Sequence, residues 1–146
     1  GAAAKASAAA LGGDLVIINK TWSWIEAHRG PVYRYRFDRA PPIRPGWFGD
    51  RDVSEAGAFH AGDIPYMLDT LDAMPWDYAA ADRACAAAAS SYWLNFVQTG
   101  DPNGDGLPRW PQWREGGELM LLDGECRTAR EEDRERQAFL RGLAGG

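Results

Sequence analysis

The sequence predicts an α/β layer structure, because stretches with helical and strand-like patterns alternate along its 146 residues. Apolar residues recur at helical spacing over residues 14–29 and 77–99, whereas residues 32–37 alternate as a β-strand does. A short apolar run at 118–122 predicts a second, buried strand. Two strands are too few for a sheet that protects its own edges, so we expect the chain to be a fragment of a larger sheet.

The composition is that of a globular domain. Hydrophobic residues make up 45% of the chain and charged residues 25%. The formal net charge of −5 argues against nucleic acid and anionic membranes as partners. No apolar run approaches the roughly 20 residues that span a bilayer, and the Ala-rich start lacks the pattern of a secretory signal. We expect no cofactor, and the compartment, cytoplasmic or secreted, stays open.

The first helix is predicted over residues 14–29. Asp14 follows two glycines and is suited to cap the helix N-terminus. His28 and Arg29 suit the negative C-terminal end of the helix dipole, and a Gly-Pro pair then stops the helix. His28 therefore has a structural explanation. The apolar stripe of this helix consists of Leu15, Ile18, Trp22 and Ile25.

The main candidate for chemistry is His60, at the end of a long loop over residues 38–60. Loops of this length without structure of their own are uncommon in compact domains and are commonly functional. Small neighbours in Gly-Ala-Phe-His-Ala-Gly-Asp leave the imidazole accessible, and imidazole suits proton transfer at physiological pH. The alternative is a surface or packing histidine. Because no serine lies in a Gly-x-Ser-x-Gly elbow, the residues supply a base without a nucleophile.

The second half of the chain is predicted to contain a long helix, a turn-rich connection, a strand and a terminal helix over residues 129–143. Gly100 is suited to end the long helix over 77–99. The terminal helix has a charged outer face. The apolar stripe of the long helix consists of Ala84, Cys85, Ala88, Tyr92, Trp93, Phe96 and Val97, and that of the terminal helix of Phe139, Leu140 and Leu143.

Residues 101–106 match the opening of a calcium-binding loop, with oxygen-bearing side chains at alternate positions and glycine at the sixth. The match then fails, because the twelfth position is Gln112 rather than glutamate. An ordinary turn is the alternative, and we expect no metal site. Cys85 and Cys126 match no metal spacing either, and they either pair or stay free thiols.

Several stretches resemble the C-terminal part of the type B carboxylesterases, the cholinesterase-like and para-nitrobenzyl esterase-like branch of the α/β-hydrolases. The Trp-x-Asn-Phe and Thr-Gly-Asp-Pro-Asn segments after residue 92 are the most specific. The resemblance implies that residues 1–146 are a C-terminal fragment of an α/β-hydrolase domain with an incomplete sheet. The matching stretches are Gly13-Asp14, Pro31–Asp38, Gly57–Tyr66, Tyr92–Phe96, Thr99–Asn103, Leu107-Pro108 and Trp110-Pro111.

The resemblance also implies a carboxylic ester hydrolase with a serine mechanism, in which His60 is the catalytic general acid and base. The serine elbow, oxyanion hole and triad acid of the family lie upstream of anything in this chain. Asp63 stands where the family usually has glutamate and is interpreted as supporting the loop. Phe59, with Trp47 and Phe48, is a candidate for lining the substrate pocket, and packing is the alternative.

The expected partners are a small-molecule ester and the N-terminal part of the same domain, without which the chain is expected to be inactive. Two other hypotheses stay open. One is a non-catalytic binding or adhesion relative with the same fold. The other is a calcium- or carbohydrate-binding module that uses residues 101–106 and the seven tryptophans.

Overall fold

The computed structural model describes residues 7, 11–14, 18–50, 52–54, 56–115, 117–132 and 134–144. The chain divides into two compact units. The central unit consists of residues 33–129. The terminal unit combines the residues up to 32 with those from 130 onward.

The described elements are α1 (Asn19–Ala27), β1 (Tyr35–Phe37), α2 (Ile64–Met67), α3 (Ala80–Thr99), β2 (Glu118–Leu122), β3 (Arg127–Arg130) and α4 (Arg134–Ala144). Short 3-10 helices lie at Leu71–Ala73 and Trp113–Glu115. Helices and strands are interspersed along the chain as the sequence predicts, although α2 and α3 follow one another and so do β2 and β3.

A three-stranded mixed sheet in the order β1-β2-β3 organises the central unit. β1 pairs with β2 in parallel, with Tyr35 opposite Met120 and Phe37 opposite Leu122. The middle strand is buried from Leu119 to Leu122, which confirms the strand predicted from the apolar run. The core beside the sheet consists of Tyr66, Met67, Leu71, Cys85, Ala86, Ala89, Tyr92, Trp110, Met120, Leu122 and Cys126.

The strand boundaries differ from the prediction in two places. β1 is shorter than the predicted 32–37. β3 was not predicted, and its last two residues fell in the terminal helix predicted over 129–143, but that helix begins only at Arg134. Two of the four residues of β3 are arginines and three are exposed, because β3 lies at the edge of the sheet beside the mostly buried strand β2. The Asp123-Gly124 pair before it is the hairpin signal that the prediction missed.

The long helix α3 confirms the prediction of a helix that ends at Gly100. Gly100 adopts φ +79°, the left-handed conformation that glycine accepts at helix ends, and its N–H donates to the Phe96 carbonyl. The predicted apolar face is only partly right. Cys85 and Tyr92 are buried, together with Asp82, Ala86 and Ala89, whereas Ala84, Trp93, Phe96 and Val97 are exposed. The helix is apolar on more than one side, and two of its alanines, Ala86 and Ala89, face the core.

In the terminal unit α1 packs on α4. Trp22, Ile25 and Leu140 are buried as predicted, but Phe139 is 67% exposed, so its predicted docking is wrong. Leu15 and the side chain of Leu143 lie outside the described residues. No helix among the described residues is long and apolar enough to cross a membrane.

Asp14 is not the helix N-cap that the sequence predicts. Residues 11–13 before it are already helical. Its buried carboxylate instead accepts hydrogen bonds from Arg136 Nε at 2.7 Å and from Gln137 Nε2 at 2.8 Å. Asp14 therefore links the start of the chain to α4, a contact over more than 120 positions that local sequence cannot reveal.

Candidate active site around His60

His60 lies in the turn formed by residues 60–63, directly before α2, and its side chain is exposed. The next residue, Ala61, has φ +66°. This left-handed conformation is uncommon for any residue other than glycine and costs about 1 kcal/mol. Strained residues of this kind cluster at functional sites, where the surrounding structure holds them in place. The backbone beside His60 is therefore held in a defined, strained conformation.

Close packing at Gly62 holds the same turn. The N–H of Gly62 donates to the Phe59 carbonyl at 2.9 Å. A Cβ atom at this position would lie 3.0 Å from that carbonyl oxygen and 3.4 Å from Pro41 Cγ. Only glycine lets the chain pass here without moving its neighbours. The turn that presents His60 is thus packed against the start of the long loop.

Asp63 ties the turn to the sheet. The hydroxyl of Tyr35, on β1, donates a hydrogen bond of 2.7 Å to Asp63 Oδ2. The Asp63 carbonyl accepts the N–H groups of Tyr66 and Met67, which starts α2. Burial, followed by the bond to Asp63, raises the pKa of Tyr35 well above its usual range, so the hydroxyl keeps its proton. These contacts are what the loop-supporting role predicted for Asp63 requires.

The buried carboxylate of Asp82 also holds α2, through the hydroxyl of Tyr66. It accepts Arg39 Nε at 2.6 Å and Nη2 at 3.0 Å, the Tyr66 hydroxyl at 2.8 Å and the Ala79 N–H at 2.9 Å. Burial alone raises the pKa of Asp82, but the hydrogen bonds from Arg39, Tyr66 and Ala79 outweigh it and lower the pKa. Asp82 therefore joins the segment after β1, the helix after His60 and the first turn of α3.

Two of the three aromatic residues predicted beside His60 are in contact. The rings of Phe48 and Phe59 meet edge to face with centroids 6.5 Å apart. Trp47 contacts Trp76 instead, at 5.6 Å. Phe48 and Trp47 are 47% and 41% exposed. The structure thus brings Phe48 to Phe59, next to His60, and directs Trp47 to a different aromatic partner.

The residues that match the opening of a calcium-binding loop bind one another. Asp101 Oδ1 accepts the backbone N–H and the side-chain Nδ2 of Asn103. The Asn103 amide in turn pairs with both the N–H and the carbonyl of Trp110. These bonds fix an ordinary turn. Across the part of the chain that the structure describes, no group of three or more His, Cys, Asp or Glu side chains is placed to hold a metal ion.

Sequence reasoning missed Tyr35 and Asp82 as residues that shape the site. Tyr35 stood in the predicted strand, but nothing in the sequence pairs its hydroxyl with Asp63, 28 positions later. Asp82 had one local signal. An acidic residue at the third position of a helix commonly accepts a hydrogen bond from the N–H of the residue that precedes the helix. Its contact with Arg39 spans 43 positions and depends on the fold.

The chain has the fold of the α/β-hydrolase esterases. It aligns with a thermophilic PNB esterase at TM-score 0.60 and 25% identity, over 75% of this chain and 22% of that one. A second PNB esterase aligns at TM-score 0.58 and 27% identity, over 75% of this chain and 21% of that one. These alignments confirm the predicted fold class.

The chain belongs to the carboxylesterase family, whose model matches residues 2–140. It is 29% identical to bile salt-activated lipase of Rattus norvegicus over 139 residues, which are 88% of this chain and 21% of that protein. It is 32% identical to carboxylesterase 5A of Felis catus over 103 residues, 64% of this chain and 17% of that protein. The resemblance predicted from the motifs is confirmed. The chain spans about a fifth of the length of these relatives.

Proposed function

We propose that this chain supplies the histidine of a carboxylic ester hydrolase, with His60 as general acid and base in a serine mechanism. The observation that carries the proposal is the accessible imidazole on a turn that Tyr35 and Gly62 hold in place. A proton carrier must be reachable and fixed in position, because proton transfer requires hydrogen-bond geometry. Family membership supplies the reaction class.

In the proposed mechanism His60 moves a proton four times. It takes the proton of the serine hydroxyl as the oxygen attacks the ester carbonyl, and it gives that proton to the leaving alcohol. It then takes a proton from water as the water attacks the acyl-enzyme, and it returns that proton to the serine. Ester and water become acid and alcohol, and His60 ends as it began. The serine, the oxyanion hole and the triad acid come from another part of the same domain.

An exposed apolar surface at the end of α2 and on α3 supports the proposal that this chain is part of a larger domain. Leu68, Leu94 and Val97 are 60%, 56% and 74% exposed and line a groove of about 360 Å³. Contiguous apolar surface of this kind normally contacts another part of a protein. In the proposal the rest of the hydrolase domain is its neighbour. The coding DNA upstream of Gly1 tests this: an open frame with Gly-x-Ser-x-Gly and a later acidic residue is expected, and a start codon beside Gly1 would contradict it.

The catalytic test is His60→Ala in the complete protein. The expected result is a loss of about 10⁴-fold or more in kcat/KM for a p-nitrophenyl ester, with an unchanged circular dichroism spectrum. His28→Ala is the matched control, because His28 is the other histidine of the chain and is also exposed. Comparable turnover by the two variants would refute the assignment of His60.

Phe59, with Phe48, forms part of the substrate pocket in this proposal. Phe59 directly precedes His60 in the sequence, and its ring meets that of Phe48 edge to face. Both residues keep exposed surface. Phe59→Ala is expected to raise KM for aromatic esters more than for acetate esters, because an aromatic acyl group loses more contact area. Equal changes for both substrates would favour a packing role alone.

A further inference from the structure

The two cysteines of the chain lie in one core cluster of the central unit. Cys85 is on α3 and is completely buried. Cys126 ends the connection between β2 and β3 and keeps 9% of its surface exposed. Neither residue has a part in the proposed ester hydrolysis.

The connection that carries Cys126 lies directly on α3. A Cβ atom at Gly124 would be 3.0 Å from the Cβ of Ala81, one turn before Cys85 on the same side of the helix. Asp123 in the same connection is 3.7 Å from Arg39 Nη1, and Arg39 binds Asp82 on α3. Two contacts that involve no sulfur atom therefore hold the Cys126 segment beside the first turns of α3.

Both thiols lie in the same buried core cluster, where the Cys126 S–H donates to the Asp123 carbonyl at 3.7 Å. The neighbouring Cys126 thiol, followed by burial, raises the pKa of Cys85, and the Cys85 thiol lowers the pKa of Cys126. The thiolate is the nucleophile in disulfide exchange, so the more exposed of the two sulfurs is also the more reactive one.

We propose that Cys85 and Cys126 form a disulfide when the protein meets a small-molecule disulfide such as oxidised glutathione. Cys126 Sγ attacks one sulfur of the oxidant, whose S–S bond breaks and releases the first glutathione. Cys85 then loses its proton and attacks Cys126 Sγ, which releases the second glutathione. The two protein thiols are oxidised, and one glutathione disulfide is reduced to two thiols. The new bond joins the β2–β3 connection to α3 and closes a loop of about 40 residues.

Peptide mapping of the unaltered protein tests the proposal directly. After incubation with oxidised glutathione, remaining thiols are blocked with N-ethylmaleimide in acid and the protein is digested with trypsin. The expected product is peptide 84–109 linked to peptide 115–127, two hydrogens lighter than the two peptides together. Recovery of the two peptides separately, with blocked thiols or glutathione adducts, would overturn the proposal.

Thermal unfolding supplies the second measurement. Closing a loop of this length is expected to raise Tm by about 5–10 °C over the reduced protein. Cys126→Ser is the matched control, since it removes the more exposed thiol and leaves Cys85 in place. Its Tm is expected to be the same with reduced and oxidised glutathione. An equal rise in this variant would assign the effect to another cause and contradict the proposed bond.

Discussion

Substitution of Asp82 by asparagine removes a charge that four hydrogen bonds surround. The side chain of Asp82 is 2% exposed and that of Arg39 is 25% exposed. Breaking a buried ion pair costs about 3–5 kcal/mol, because the remaining charge loses its partner. Water reaches part of the Arg39 guanidinium, so we expect the lower end, about 3 kcal/mol. The Tyr66 hydroxyl also loses a charged acceptor.

Urea denaturation measures this loss. With a slope of about 1–3 kcal/mol/M, the midpoint of Asp82→Asn is expected to fall by about 1–3 M while the slope stays unchanged. Asp72→Asn is the matched control, because Asp72 pairs with Arg83 at 3.0 Å on the surface, where both side chains are more than half exposed. The control is expected to change stability by less than about 0.5 kcal/mol. Similar midpoints for both variants would refute the structural role of Asp82.

The stability that Asp82 contributes is expected to depend on pH. The hydrogen bonds of Asp82 lower its pKa in the folded protein against the opposing effect of burial. An unfolded aspartate titrates near pH 3.9. A lowered folded-state pKa gives stability that is fully present above the unfolded value and is lost as pH falls through the folded one. The stability difference between wild type and Asp82→Asn is therefore expected to stay constant from about pH 5 to 8 and to shrink below about pH 4. A difference that persists unchanged at pH 2 would contradict this mechanism.

Two further predictions concern the turn itself. Tyr35→Phe removes the hydroxyl that binds Asp63 and is expected to lower the free energy of unfolding by about 1–2 kcal/mol, measured by urea denaturation. In the complete protein it should decrease kcat and change KM little. Unchanged kinetics would argue against a positioning role. Ala61→Gly relieves the left-handed strain at φ +66° and is expected to stabilise the protein by up to about 1 kcal/mol in the same assay, whereas a clear destabilisation would show that the strain is absent.

The sequence predicted those parts of the fold that depend on local pattern. The apolar run at 119–122 indicated a buried strand, since a strand that is covered on both faces is apolar without alternation. Gly100 marked the end of α3 because glycine accepts the left-handed conformation at a helix end. His60 was singled out by the small residues around it, and the structure leaves its side chain exposed.

Other parts depend on tertiary contacts and could not be predicted. The polar edge strand β3 takes its place from its neighbour β2 rather than from its own pattern. Apolar residues lie on several faces of α3, so the elements that pack against the helix determine which face is buried. The bonds of Asp63 and Asp82 join residues 28 and 43 positions apart, and a sequence alone shows neither partner. The supports of the site were therefore harder to predict than the candidate base.

Three of the groups that hold the His60 turn, the hydroxyls of Tyr35 and Tyr66 and the carboxylate of Asp82, have pKa values shifted away from neutral pH. The pKa values of Tyr35 and Tyr66 are raised mainly by burial, and that of Asp82 is lowered by its hydrogen bonds. Between about pH 5 and 9 these three groups keep their protonation states. In the proposed mechanism, the groups that hold the turn are therefore different from the group that transfers the proton. A pH–rate profile of the complete protein would accordingly report on its acid–base chemistry, undistorted by loosening of the turn.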